Sequence, residues 1–229
     1  MTRGVRPPRP PRFVVAFVVL TAVTGVVEAV SFLGLGMVFT AVMTGNTLFL
    51  GFALAGQRLP VAGPLVAVAA FSAGAIVGNR VTARLAARDG ERWLPSALYG
   101  EGALLAVAAM LALGLPAENP HLTPHRFVVI GAVAAIMGAR NVTIIRAGAR
   151  SRDLPTTVVT RALAGAFMGG PPGTMLRRLA TVVGMVVGAA LGALLLRFHP
   201  IFPLLLASVA VVVAGALCER EIREGGRPS

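Results

Sequence analysis

A carboxylate set inside an apolar run is the first group in this sequence that could do chemistry. Glu28 lies in TAVTGVVEAVSFL, with aliphatic residues on both sides. A carboxylate in such surroundings either takes up a proton or a cation, or it is held by partners that lock helices together. Thr44, Gly45 and Asn46 follow in VFTAVMTGNTLFL. Glycine permits a backbone break or a close approach, and the Thr and Asn side chains can then satisfy freed backbone groups or hold a ligand. In the second half of the chain, Arg140 and Asn141 interrupt another apolar run, and Thr160 closes LPTTVVT. Arg140 keeps its proton, so it needs a carboxylate or water. Glu101 is its candidate partner in a structural ion pair. Glu28, Thr44, Gly45, Asn46, Asn141 and Thr160 form the candidate set for a small solute or an ion, with Glu28 as the group for a coupling proton or cation.

Other chemistry has little support. His121 and His125 are four residues apart, but Pro120 and Pro124 argue against the regular helix a metal pair would need, and His199 stands apart. The sequence has no phosphate-binding loop, no nucleophile elbow and no intramembrane cluster of His or Cys, so no metal, no cofactor and no enzymatic activity is expected. Cys218 is the only cysteine, which excludes an intrachain disulfide.

The elements that must position these groups are membrane spans. The chain has 229 residues, of which 56% are hydrophobic and 13% charged, where a soluble domain carries about 25% charged residues. Its mean hydropathy is +0.80. A span needs about 20 mostly apolar residues, and six segments qualify, near 13–35, 60–80, 95–115, 126–146, 178–197 and 200–218. The expected class is therefore an all-α polytopic membrane protein of six spans. A basic tail (1–12) precedes one membrane domain (13–222), and a short tail (223–229) follows. The first span is read as uncleaved, because no small-x-small site follows its apolar run.

The formal charge of +12 could suggest nucleic acid, but every basic residue is Arg and nearly all lie between apolar segments. That placement is an orientation signal. With the N-terminus inside, one side holds Arg3 to Arg12, Arg80 to Arg92, Arg146 to Arg178 and Arg220 to Arg227. The other side holds only Arg58, Arg126 and Arg197. Both termini are expected in the cytoplasm, with the bilayer as the main partner and no nucleic-acid partner. Two apolar stretches remain, 38–55 and 154–170, read as short re-entrant or interfacial segments. Gly184, Gly188 and Gly192, and Gly74 with Gly78, recur every four residues. Such faces let helices approach closely, within one chain or in a homo-oligomer.

The two halves, 13–115 and 126–218, share an order: span, short polar segment, span, span. GVVEA (25–29) is matched by GARNV (138–142), and TAVMT (40–44) by TTVVT (156–160). Three spans per half is an odd number, so the halves would lie in opposite orientations, as in many secondary transporters.

The run TGVVEAVSFL (24–33), followed by FTAVMTGN (39–46), resembles the signature of the YoaK-like family of bacterial six-span membrane proteins of unknown function. MGARN (137–141) and LPTTVVT (154–160) resemble that family's second pair of motifs. The resemblance implies six spans in a bacterial plasma membrane and implies no activity. The function expected from the residues is a small secondary transporter or channel-like protein for a small solute or ion. The alternative is a non-transporting scaffold or partner-binding membrane protein.

Overall fold

The computed structural model describes residues 11–116, 119, 121, 123–149 and 174–225. Among these the structure is helical, with no strand. Helix α1 (Pro11–Ala29) continues into a π-helical turn, Val30–Gly34. A non-helical stretch leads to the short α2 (Met43–Leu54). Then come α3 (Ala62–Asp89), a 3-10 turn (Gly90–Arg92) and α4 (Trp93–Ala112). Helices α5 (Arg126–Ala149), α6 (Thr174–Leu196) and α7 (Ile201–Gly225) complete the described chain. Segment 154–170, and with it Thr160, lies outside the described residues.

Apolar composition dictates helices here, because in hydrocarbon every backbone N–H and C=O must be satisfied within the chain. Proline is placed so that it does not interfere. Pro64, Pro95 and Pro203 are each the third residue of their helix, where the missing N–H would have had no intrahelical acceptor. Five runs are long and apolar enough to cross a bilayer: Arg12–Gly34, Ala62–Ala112, Arg126–Gly148, Met175–Leu196 and Ile201–Glu224. The second of these contains both α3 and α4, parted at Gly90, whose φ of 56° turns the chain. Helix α2 has 12 residues, about 18 Å of helix against roughly 30 Å of hydrocarbon. It is too short to cross.

The long helices pack in three intimate pairs. Helices α1 and α6 run parallel: Gly184 meets Val18, Gly188 meets Ala22 and Gly192 meets Val26. Helices α3 and α5 also run parallel, Gly74 meeting Ala135 and Gly78 meeting Ala139. Helices α4 and α7 are antiparallel, with Gly102 against Ser208 and Val212, and Gly215 against Leu98 and Tyr99. At several of these glycines a Cβ would fall within 3 Å of the facing backbone: 1.9 Å from the Ala22 carbonyl oxygen at Gly188, and 1.9 Å from that of Ala135 at Gly74. The small-residue faces are thus seams between helices of one chain.

Leu98, Leu105, Ile130, Met137 and Leu204 fill the centre, fully buried. Val107, Val183, Val186, Leu191 and Val209 point outward and are exposed. Large apolar side chains on the perimeter are what a lipid-facing surface requires. Helix α3 runs on to Asp89, well past the apolar segment expected near 60–80.

Candidate functional site

The site is built where α1 gives way to the non-helical stretch 35–42. Four consecutive amides there, from Phe39 to Val42, are satisfied by side chains. The Ala41 and Val42 N–H groups donate to Glu28 Oε1 at 2.6 and 2.8 Å, and the Thr40 N–H to Glu28 Oε2 at 3.3 Å. The Phe39 N–H donates to Asn46 Oδ1 at 2.9 Å, and Asn46 Nδ2 donates back to the Phe39 carbonyl at 2.6 Å. Ser31 and Thr40 join their hydroxyls at 2.6 Å. Glu28 is 8% exposed and Asn46 fully buried. The carboxylate also lies by the start of α2, where a negative charge complements the helix dipole.

Each part of this clasp has a local cause. Glu28, near the end of α1, and Ser31, in the π-helical turn that continues it, are three residues apart and lie toward one side. Gly36 (φ 97°) and Met37 (φ 54°) take left-handed conformations that turn the chain back toward α1. Gly45 clears a notch for the Phe39 ring: a Cβ there would lie 2.4 Å from Phe39 Cδ2. The ring is packed by Phe32, 5.0 Å between centroids, and by Phe49, 6.1 Å. Gly45 and Asn46 therefore act on one residue, the former seating its ring and the latter holding its backbone.

A second polar group lies one turn further along α1. Arg140, on α5 and 4% exposed, forms an ion pair with Glu101 on α4, Nε and Nη2 both reaching Oε1. Its Nη1 donates to the Leu20 carbonyl at 3.3 Å and to Thr24 Oγ1 at 3.4 Å. Thr24 and Glu28 are four apart and share a face of α1. A polar column, buried save at the half-buried Thr24, thus follows α1, from Thr40 and Ser31 through Glu28 and Thr24 to Arg140 and Glu101.

The structure brings Glu28, Gly45 and Asn46 together around 39–42, and Arg140 to Glu101. It does not bring Thr44 in: that side chain is exposed on the first turn of α2. Asn141 is half-buried beside Arg140 in sequence, and no hydrogen bond joins it to Glu28 or Asn46. Thr160 is outside the described residues. Phe39, Ser31, Thr40 and Thr24 were not among the candidates. Thr24 and Ser31 carried a readable signal, standing four before and three after Glu28 on one helix. Phe39 carried none, since an aromatic in an apolar run reads as filler.

Long apolar helices with apolar side chains on the perimeter and a buried polar column define a helical membrane protein. The chain belongs to the family described as protein of unknown function (DUF1275), which matches residues 16–218. No curated protein and no solved structure matches the chain.

Proposed function

We propose that this protein is a small secondary transporter or channel-like protein for a small solute or ion. Its frame is six spans in two three-helix halves of opposite orientation, in a bacterial plasma membrane with both termini cytoplasmic, and its place is in the YoaK-like group. Six crossings are supported by the Ala62–Ala112 run of 51 residues. As one helix it would span about 76 Å, more than twice a bilayer's hydrocarbon.

The observation that carries the reading is a repeated set of contacts. Gly188 meets Ala22 and Gly74 meets Ala135; Gly192 meets Val26 and Gly78 meets Ala139; Gly25 meets Ala189 and Gly138 meets Ala75. Within each pair of contacts, the second matches the first with the halves exchanged, at a near-constant shift along the sequence. On α4 and α7, Gly102 meets Val212 as Gly215 meets Tyr99. Two inverted halves related by a two-fold axis account for this pattern, and that frame is shared by many transporters. The unwound stretch 35–42 sits beside a buried carboxylate, and irregular backbone at membrane depth is tolerated where it is buried or lines a path.

The test is flux. Reconstituted protein is assayed for uptake across a panel of ions and small metabolites, with Glu28→Gln and Asn46→Ala alongside. Uptake by the wild type that both substitutions abolish supports the reading, and flux unchanged by both would overturn the site. The competing reading is a non-transporting scaffold. One observation favours it, since Glu28 and Asn46 spend their hydrogen bonds on backbone. No flux from folded protein across the panel would select it.

A further inference from the structure

We propose that the species exchanged at Glu28 is a proton and not a metal cation, and that protonating Glu28 loosens the segment 40–42. The inference rests on the transporter reading only for its role in transport.

The donor set decides between the two. Three N–H groups point at the Glu28 carboxylate, two of them at 2.6 and 2.8 Å. A hard cation needs a shell of several oxygen ligands, and here inward-pointing N–H dipoles occupy the places those ligands would take. The nearest hydroxyls, of Ser31 and Thr40, are bonded to each other, and Ser31 also donates to the Val27 carbonyl at 2.9 Å. Among the described residues no three His, Cys, Asp or Glu side chains gather. A proton needs no such shell. It takes one lone pair of the carboxylate, the group becomes neutral, and its bonds to the amides lose the charge that roughly doubles their strength. Segment 40–42 then keeps weakened bonds to the neutral carboxyl, beside the Ser31–Thr40 hydroxyl pair and the Gly45 N–H that donates to the Val42 carbonyl.

Among the described residues no other group nearby competes for that proton. Helix α6 meets this part of α1 with Gly188, Ala189, Gly192 and Leu196. Helix α7 packs on α1, and its acids are engaged elsewhere: Glu221 and Glu224 pair with Arg12 at the far end of α1, and Glu219 accepts from Tyr99 and Arg223. Arg140 reaches Thr24, one turn away, and is paired with Glu101. Arg126 packs against Gly36 and donates to the His121 carbonyl, while Arg197 is exposed beyond α6. His199 is bonded to the Leu115 carbonyl.

The test is amide hydrogen exchange of the full chain in nanodiscs. It is followed from acid to neutral pH in sodium, potassium and choline salts, and corrected for intrinsic exchange. Protection of amides 40–42 in the wild type should fall about tenfold on acidification, the equivalent of one weakened charge-assisted bond, and equally in all three salts. Glu28→Gln should show the low protection at every pH. An infrared carboxyl band appearing over the same pH range supplies a second readout on the wild type alone, should the variant not fold. Protection that follows sodium and ignores pH overturns the proposal, and so does wild-type protection that is flat with pH. A proton-dependent change without flux in proteoliposomes would remove the transporter reading and leave the clasp standing.

Discussion

At Glu28 one carboxylate takes the amides of three consecutive residues, a task that inside a helix falls to the carbonyls one turn back. Asn46 does the same for Phe39 with both ends of its amide. Removing either end leaves a half-buried backbone group without this partner, at a cost of about 1 kcal/mol. Asn46→Ala should therefore lower the thermal midpoint in detergent. Asn46→Asp should do so as well, because a carboxylate cannot donate to the Phe39 carbonyl. Thr44→Ala, at an exposed site, should stay within about 0.5 kcal/mol of the wild type. A midpoint unmoved by both Asn46 substitutions would refute the clasp. Glu28 and Asn46 were visible in the sequence because a polar residue in an apolar run stands out. What they hold was not visible, because the partner is backbone and every residue carries the same amide.

At the scale of helices, the glycine seams and the buried ion pair can be tested separately. Gly74→Leu and Gly188→Leu each force a side chain into the facing helix backbone, and both should fail to give folded protein. Gly100→Leu, where nothing lies within 4 Å, should be tolerated. Yield of monodisperse protein on size-exclusion chromatography reads the difference, and a folded Gly188→Leu would contradict the α1–α6 seam. Arg140→Gln leaves Glu101 buried without its cation and should cost about 3–5 kcal/mol, whereas Arg140→Gln with Glu101→Gln should recover most of that loss. Denaturation midpoints of the single and double variants decide it. The apolar segments were legible because hydropathy reports the membrane boundary. The length of α3 was not, for the same reason. Hydropathy falls at Asn79 and Arg80, but Ala83, Leu85, Ala86 and Ala87 are good helix formers, so the helix runs on to Asp89.

Over the whole molecule, the proposed topology predicts sidedness. Met37 is exposed near the clasp, and Arg88 is exposed near the far end of α3. Met37→Cys should react with a membrane-impermeant thiol reagent added outside intact cells. Arg88→Cys should react only after the membrane is opened. The reverse pattern would invert the orientation. The native Cys218 is buried, so each introduced thiol reads against a quiet background. The seams also constrain motion. Backbone in direct contact with backbone along α1 and α6, and again along α3 and α5, leaves neither pair room to slide. Each pair is then a rigid plank. In the proposed transporter, a movement that opens the polar column to alternate sides would have to tilt the α1–α6 plank against the α3–α5 plank, with the antiparallel α4 and α7 as the fulcrum. Each plank joins a helix from the first half of the chain to one from the second, so in that proposal the rocking bodies would not be the two halves of the proposed repeat.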